Sequence, residues 1–355
     1  MKPALFVLAL GLWPALPAGA QELAAVDEIV GPHVGEDAPG IAVAVLRDGA
    51  VLHLKGYGFA DLAAETPVTA DSIFDLASLS KQMTALAAMQ LIAAGTLSEE
   101  TAVGEVLPEL AAYESGGRAV TVGDLVHHLS GFPDYLDAGV FDYRPEMENA
   151  EVIAWLAGAE AADRPGRKFA YSNTGYLVLG SLVAAAAGAG SLAEVLEAKV
   201  WGPPEMASTS LVVPADAAAR VTGYAGTGGD FAASAMDTVT EGDGNVYATI
   251  ADLARYEAAL AEGTLLGPEA TAALFANGFF DDGEPIAQAD GAGYGHGWHL
   301  FSAEAGRIAA HDGSWMGTAT AYRRELDTGL SVVVLSNGED LDAWGLAEEI
   351  AGVVE

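Results

Sequence analysis

Two β-hairpin patterns, one toward each end of the chain, restrict the possible folds more than any other feature. The first is IAVAVLRDGAVLHLKGYGFA at 41–60, where two β-rich runs flank an Asp-Gly pair. The second is TATAYRRELDTGLSVVVLSN at 318–337, where the runs flank Asp-Thr-Gly and a helix is expected from about 342 to 354. Such turn residues between apolar runs predict hairpins. We therefore expect an antiparallel sheet assembled from both ends of the chain.

Helical patterns fill the middle of the sequence. Residues 78–94 carry apolar side chains at helical spacing and end just before Gly95, which is typical of an amphipathic helix with a glycine C-cap. Further helices are predicted at 121–129, 149–158, 174–188, 191–198 and 250–262. The glycine-rich stretch 225–245 is predicted to be a loop.

These patterns predict a mixed α/β fold of the α+β type, an antiparallel sheet flanked by helices. Residues 21–77 and 245–355 would form the α/β subdomain, and 78–244 an inserted all-helical subdomain. The first twenty residues have Lys2, an apolar centre and small residues at 18 and 20, and they are interpreted as a signal peptide cleaved before Gln21. We therefore expect an exported protein, periplasmic or extracellular, with no membrane span after the signal is removed.

Composition excludes several classes of function. The formal net charge is −35, so a nucleic-acid partner is not expected, because phosphates would be repelled. The acidity fits either solubility in an exported protein or adaptation to a saline medium. The chain has no cysteine, which excludes disulfides, thiol catalysis and thiolate metal sites.

The first candidate catalytic pair is Ser78 and Lys81 in FDLASLSKQMTA. Positions i and i+3 of a helix share a face, so the Lys81 amine can reach the Ser78 hydroxyl. A desolvated lysine can take the proton of a serine and stabilise the alkoxide, which makes the serine nucleophilic. The chain has only five lysines, and one on a core-facing helix is costly without a purpose.

Two further segments carry candidate residues. In FAYSNTGYLVLG, Tyr171 and Asn173 are two positions apart, so in an extended segment their side chains can point the same way. A tyrosine near Lys81 is suited to proton transfer. In AAHDGSWMG, His311 and Gly313 follow an apolar run that is typical of a strand, whose edge could bind substrate and supply an oxyanion-hole N–H.

Taken together, the motifs resemble those of a known family. The order S-x-x-K, Y-x-N, H-x-G, with the segments HHLSGFPDY at 127–135 and YGHGW at 294–298, is similar to the penicillin-recognising serine hydrolases. These include class C β-lactamases, D-Ala-D-Ala carboxypeptidases, esterases and D-aminopeptidases, and the likeness covers nearly the whole chain after residue 20. The resemblance implies a β-lactamase/transpeptidase-like fold.

The resemblance also implies a role for each motif residue. Ser78 would be the acylated nucleophile, Lys81 its activating partner, and Tyr171 the group that moves a proton between nucleophile and leaving group. Asn173 would bind a substrate amide. No cofactor or metal would be needed.

In the third motif, the resemblance places His311 where many relatives have lysine, and it makes the N–H groups of Ser78 and Ser314 the oxyanion hole. Histidine in place of lysine removes a permanent cation that would face a substrate carboxylate. Asp312, where relatives usually carry a small or hydroxylic residue, would repel anionic substrates unless it points away. Both departures favour neutral esters, amides or peptides with a free amine.

The sequence thus predicts an exported serine hydrolase that acts through an acyl-enzyme on a small-molecule or peptide substrate. The leading interpretation is an esterase or D-amino-acid-directed peptidase. A class C-like β-lactamase and a non-catalytic penicilloyl- or peptidoglycan-binding protein remain as alternatives, and the oligomeric state stays open. His127, His128 and Asp134 are not interpreted as metal ligands, because adjacent histidines on a helix diverge.

Overall fold

The described part of the chain begins inside the segment interpreted as a signal peptide. The computed structural model describes residues 18–354, apart from 36, 116, 141–143, 145, 214–216 and 304–305. Residues 1–17 of the predicted signal lie outside this range, and helix α1 (Ala18–Val30) runs across the predicted cleavage point. Among the described residues, no single helix is long and apolar enough to cross a membrane. The helices at 173–187 and 192–201 have the necessary length and apolarity only when taken together, and they meet at a bend of 69°.

Ten α-helices occur in the described segments. In chain order they are α1, α2 (Ser80–Ala93), α3 (Val103–Val106), α4 (Val122–Val126), α5 (Asn149–Leu156), α6 (Asn173–Ala187), α7 (Leu192–Leu196), α8 (Ile250–Glu262), α9 (Pro268–Leu274) and α10 (Ala343–Ala351). Helix α7 continues into a π-helical turn, Glu197–Trp201.

Local capping chemistry explains where the helices begin and end. The hydroxyl of Thr249 accepts a hydrogen bond from the Asp252 N–H, and Gly263 follows the last residue with φ +65°, so α8 has its predicted bounds. The prediction of a helix over 121–129 was too long, because α4 ends at Val126 and His128 has φ +56°.

Fifteen strands occur in the same described segments. They are β1 (Ile41–Arg47), β2 (Ala50–Tyr57), β3 (Phe59–Asp61), β4 (Thr66–Pro67), β5 (Ile73–Asp75), β6 (Glu114–Ser115), β7 (Arg118–Ala119), β8 (Tyr224–Ala225), β9 (Ala232–Ala233), β10 (Tyr247–Thr249), β11 (Gly293–Tyr294), β12 (His299–Ala303), β13 (Gly306–Trp315), β14 (Thr318–Glu325) and β15 (Leu330–Ser336).

Seven of these strands form one antiparallel sheet in the order β11-β12-β13-β14-β15-β1-β2. Both predicted hairpins are present, as β1–β2 and β14–β15, and the pairing of β1 with β15 joins the two ends of the chain. The prediction of an antiparallel sheet flanked by helices is therefore confirmed. The strand that precedes the third motif, β13, lies beside β14 in this sheet.

Both faces of the sheet are buried, which explains the unbroken apolar runs of its central strands. Along β1, Ala42, Ala44 and Leu46 face a large core shared with α2, α6 and α8. The alternate residues Val43 and Val45 face a second core, shared with α1 and α10.

The large sheet and most of the helices come from different parts of the chain, although the short strands β6 to β9 lie within 78–244. The strands of the large sheet come from 41–57 and 293–336, and helices α2 to α7 lie between residues 80 and 196. The division at residues 77 and 245 stays a prediction. The 3-10 turn Ala77–Leu79, just before α2, lies against β13 and brings the first and third motifs together.

Candidate active site

Ser78 lies in a short 3-10 turn, Ala77–Leu79, between β5 and α2. Ala77 has φ +46°, a left-handed conformation that is unfavourable for alanine by roughly 1 kcal/mol or more. The carboxylate of Asp75 accepts a hydrogen bond from the Ala77 N–H at 2.8 Å and so holds the turn. The strained turn presents Ser78 at the wall of a cavity.

Gly313 allows strand β13 to lie directly against this turn. A Cβ atom on Gly313 would come within 2.4 Å of the Leu76 carbonyl oxygen and 3.1 Å of the Ser78 nitrogen. The hydroxyl of Thr320, on the neighbouring strand β14, donates a hydrogen bond to the same Leu76 oxygen at 3.0 Å. Glycine is therefore required here for the close approach, and the next residue, Ser314, lines the cavity beside Ser78.

Lys81 is buried and lies within hydrogen-bond distance of three acceptors. Its Nζ atom donates to Ser78 Oγ at 3.0 Å, to Asn173 Oδ1 at 2.9 Å and to the Asp243 carbonyl oxygen at 2.6 Å. Three acceptors match the three N–H bonds of an ammonium group. In the free-amine form, two N–H bonds suffice for Asn173 and Asp243, and the lone pair can face Ser78.

Tyr171 completes this group from the second motif. The Lys81 Nζ atom lies 5.0 Å from the centre of the Tyr171 ring, and the tyrosine side chain lines the cavity with 38% of its surface exposed. The structure thus brings together Ser78, Lys81 and Tyr171, which are up to 93 residues apart in sequence. Asn173 is the first residue of α6 and lines the same cavity.

The segment 128–135 holds the second motif in place. The His128 Nδ1 atom accepts a hydrogen bond from the Ser172 N–H at 3.0 Å. The Asp134 carboxylate accepts one from the Asn173 N–H at 2.6 Å. The two polar residues that could have suggested a metal site instead position the backbone of the Y-x-N motif. His128 follows α4 in a left-handed conformation, so it does not share a helix with His127 as the sequence analysis assumed.

A hydrogen-bonded chain runs behind Tyr171 and determines the tautomers of two histidines. Because His128 Nδ1 accepts from a backbone N–H, its Nε2–H donates to the Tyr294 hydroxyl at 3.0 Å. His311 Nδ1 lies 2.6 Å from the Asp312 carbonyl oxygen, which can only accept, so this nitrogen carries the proton. His311 Nε2 then accepts from the Tyr294 hydroxyl at 3.3 Å.

Both of these histidines are neutral. Burial lowers the pKa of His128 and of His311 well below the ordinary value, and neighbouring positive groups lower both further. The His311 ring is only 1% exposed and is not among the side chains lining the cavity; its centre lies 6.0 Å from that of Tyr171. His311 therefore packs behind Tyr171 and hydrogen-bonds to Tyr294, and it does not present a positive charge to the cavity.

The cavity in front of Ser78 has a volume of about 490 Å³. Besides the motif residues, the described side chains that line it are Asp75, Ala77, Tyr135, Leu136, Thr238, Thr240, Asp243, Gly244, Asn245, His299, Asp312 and Trp315. Three of these are carboxylates, and no arginine or lysine is among the described lining residues. A cavity of this composition is electrostatically unsuited to an anionic substrate.

Two of the three carboxyl groups are strongly affected by burial. Desolvation raises the pKa of Asp75 to about 6, although part of its side chain is open to the cavity. Desolvation also raises the pKa of Asp243, against the opposing effect of Lys81. Asp243 Oδ2 accepts a hydrogen bond from the Tyr135 hydroxyl at 2.9 Å, but its buried Oδ1 has no partner among the described residues.

Sequence reasoning missed several residues of this site. Asp75 and Tyr135 lie inside the quoted segments FDLASLSKQMTA and HHLSGFPDY but were given no role, and Asp243 lies in the glycine-rich stretch that was predicted to be a loop. Of the two histidines in YGHGWHL, His296 precedes β12, and His299, the first residue of that strand, lines the cavity. The orientation of Asp312, left open by the sequence, is toward the cavity.

Comparisons with known proteins find similarity over most of the chain. The family model described as Beta-lactamase matches residues 26–352. Penicillin-binding protein 4* of Bacillus subtilis (strain 168) is 30% identical over 318 residues, which cover 84% of this chain and 68% of that protein. The D-aminopeptidase of Brucella anthropi is 26% identical over 328 residues, covering 88% of this chain and 58% of that protein.

A solved structure gives the same result for the fold. The octameric penicillin-binding protein homologue from Pyrococcus abyssi superposes with a TM-score of 0.82 at 24% identity, covering 94% of this chain and 77% of that one. At this identity the likeness concerns the fold alone.

Proposed function

Because the chain belongs to the Beta-lactamase family of penicillin-recognising serine hydrolases, we propose that it is an exported hydrolase acting through an acyl-enzyme on Ser78. Its substrate would be an ester, an amide or a D-amino-acid peptide. The observation that carries the proposal is the 3.0 Å hydrogen bond between Lys81 Nζ and Ser78 Oγ, with the lysine fully buried. A buried amine in contact with a serine hydroxyl is the arrangement that nucleophilic catalysis needs.

In the proposed acylation step, Ser78 Oγ attacks the carbonyl carbon of the substrate. The hydroxyl proton passes to the Lys81 amine while the carbonyl oxygen becomes an oxyanion. The N–H groups of Ser78 and Ser314 would donate to this oxyanion, and the close approach of β13 to the turn supports that role. The tetrahedral intermediate collapses as the bond to the leaving group breaks, and the leaving group takes up a proton through Tyr171.

In the proposed deacylation step, water attacks the Ser78 ester. The proton of that water passes through Tyr171 to the Lys81 amine, and the Lys81 ammonium group returns it to Ser78 Oγ as the ester bond breaks. The products are the free acid and the regenerated serine, the alcohol or amine having left in the acylation step. Tyr171 suits this role because it lies at the cavity surface and next to Lys81. Asn173 keeps its amide N–H group for the substrate, since its oxygen is bound to Lys81.

The substrate is proposed to be neutral or to carry a free amine. Asp312 and Asp75 line the cavity, and the buried Oδ1 of Asp243 is without a partner in the described chain. A substrate ammonium group would complement these carboxylates, whereas a substrate carboxylate would be repelled by them. β-Lactam hydrolysis, which requires an anionic substrate to bind, is therefore proposed as a secondary activity.

Labelling and turnover test the proposal directly. A fluorophosphonate probe should label the wild-type protein and fail to label Ser78→Ala, with unchanged circular dichroism. A substrate panel of p-nitrophenyl esters, D-amino-acid amides, D-Ala-D-Ala peptides and nitrocefin should show multiple turnovers on at least one of the first two. Labelling by a fluorescent penicillin that never recovers, with no turnover across the panel, would instead favour a non-catalytic penicilloyl-binding protein.

Export requires a separate test, because it rests on residues 1–20 alone. The chain expressed in a bacterial host should be found outside the cytoplasm with Gln21 as its first residue. N-terminal sequencing of the fractionated protein gives the answer, and retention of Met1 in the cytoplasm would contradict the proposal.

A further inference from the structure

Three side chains outside the catalytic cavity converge in an arrangement that resembles a metal centre. Ligand atoms of Glu99, His127 and His296 all lie within 4.8 Å of one another. None of the three lines the catalytic cavity. They come from three separate segments: the loop after α2, the C-terminal end of α4, and the turn before β12.

We propose that Glu99, His127 and His296 bind a divalent transition-metal ion, for which Zn²⁺ is the probe. Two imidazoles and one carboxylate are a ligand set that zinc accepts, with water as the fourth ligand. His296 Nε2 lies 3.0 Å from Glu99 Oε1, and ligand atoms around a tetrahedral zinc ion are separated by about 3.3 Å at a metal–ligand distance of roughly 2.0–2.1 Å. An ion therefore fits with small side-chain movements.

Backbone hydrogen bonds hold two of the three ligands at fixed positions around one helical turn. The Gly123 N–H donates to the Glu99 carbonyl oxygen at 2.9 Å, and the His127 N–H donates to the Gly123 carbonyl oxygen at 3.1 Å. The third ligand is fixed separately, because the His296 N–H donates to the Leu274 carbonyl oxygen at 3.0 Å. A preorganised set of ligands raises the affinity of a metal site.

The two imidazole rings of this cluster are buried side by side, and one nitrogen of each ring is without a described partner. Nδ1 of His127 and Nδ1 of His296 are both buried and have no hydrogen-bond partner among the described residues. The two rings lie 4.7 Å apart, and only 6% and 4% of these residues is exposed. An ion at this cluster would bind His296 through Nε2, the nitrogen that faces Glu99, and Nδ1 of that ring would carry the proton of the neutral imidazole. The Glu99 side chain is 45% exposed, so an ion and its water can enter from solvent.

A second group of similar composition, His299, His311 and Asp312, is a weaker candidate for a metal site. Its ligand atoms also lie within 4.8 Å, but both ring nitrogens of His311 already have partners, the Asp312 carbonyl and the Tyr294 hydroxyl. His299 Nδ1 is likewise bonded to Gln288. In the first cluster, by contrast, the partner of His296 Nε2 is Glu99, which is itself one of the proposed ligands.

The ion would connect the helical part of the chain to the turn before β12. That turn packs directly on the catalytic helix: a Cβ atom on Gly297 would lie 2.9 Å from Gln82 Cα and 3.1 Å from the Lys81 carbonyl oxygen. Metal binding at Glu99, His127 and His296 is thus expected to stabilise the fold around α2 without entering the catalytic cavity.

The site can be tested by equilibrium dialysis. The chelator-treated protein is dialysed against Zn²⁺, with excess Mg²⁺ to occupy the acidic surface. The expected result is one equivalent of Zn²⁺ per chain and a rise in Tm. His127→Gln, His296→Gln and Glu99→Gln should each weaken binding by about tenfold or more. The controls His53→Gln and Asp312→Asn should bind as the wild type does.

Cobalt gives a second readout that does not depend on stability. Co²⁺ bound at the wild-type site should show the intense visible bands of tetrahedral coordination, and these bands should be lost in His127→Gln. Because Glu99 is partly exposed, Glu99→Gln should fold normally, so its loss of metal binding keeps the test valid even if the histidine variants misfold. No bound Zn²⁺ in the wild type, or one equivalent retained in both His127→Gln and His296→Gln, would overturn the proposal.

Discussion

The Nζ atom of Lys81 lies 3.0 Å from the Oγ atom of Ser78, and the lysine has no exposed surface. An isolated buried ammonium group is unfavourable by several kcal/mol, so its hydrogen-bond partners are essential to the fold. The Asn173 side chain and the Asp243 carbonyl supply them. The same contacts that offset the cost of burying the lysine also orient its amine toward Ser78.

Lys81→Ala is expected to lower kcat/KM for ester substrates by on the order of a hundredfold or more, because Ser78 loses the group that takes its proton. Stopped-flow acylation with a p-nitrophenyl ester measures the effect. Lys168→Ala, which removes an exposed lysine, is the matched control and should retain wild-type rates. Normal acylation by Lys81→Ala would refute the assignment of the base.

Tyr294→Phe is expected to destabilise the protein by about 1–3 kcal/mol, because it leaves His128 Nε2–H and His311 Nε2 buried without their shared partner. Urea denaturation measures the free energy of unfolding. The control is Tyr113→Phe, whose hydroxyl is buried without a partner among the described residues and whose loss should therefore cost little. Equal effects in the two variants would show that the Tyr294 hydrogen bonds contribute nothing.

Asp75→Asn is expected to change how stability depends on pH. The pKa of Asp75 is raised to about 6 in the folded protein from an ordinary value near 3.8, so the folded state binds more protons between those values. The wild type should therefore lose stability relative to Asp75→Asn as pH rises from about 4 to about 6, by of the order of 1–3 kcal/mol. Denaturation of both proteins at pH 4, 5, 6 and 7 measures the difference, and a constant difference would mean that Asp75 titrates normally.

The parts of the fold that follow from short-range rules could be predicted from sequence. The hairpins follow from turn residues between β-rich runs, and α8 follows from Thr249 at its start and Gly263 at its end. The S-x-x-K contact also follows from short-range spacing, because Ser78 and Lys81 are three residues apart, although the predicted helix begins only at Ser80 and Ser78 lies in the 3-10 turn before it.

The rest of the site depends on contacts between distant segments, which residue types do not reveal. His128 holds the backbone of Ser172 from 44 residues away, and Asp243 reaches Lys81 across 162 residues. His127 and His128 were interpreted as helical neighbours, but α4 ends first and the left-handed turn at His128 sends their side chains to different sites.

Asp312→Thr is expected to improve the use of substrates that carry a carboxylate. Asp312 is exposed and faces the cavity, where a negative charge repels an anionic substrate by roughly 1 kcal/mol in a partly solvated setting. Removing it should therefore raise kcat/KM for an anionic ester by about threefold to tenfold and lower kcat/KM for an amine-bearing amide by a similar factor.

A neutral ester of the same leaving group should be hydrolysed at an unchanged rate, which separates the effect of charge from general disruption of the site. Asp282→Thr, an exposed substitution away from the cavity, controls for the change in net charge. Equal rates for all three substrates in both variants would mean that the Asp312 carboxylate does not meet the charged part of the substrate.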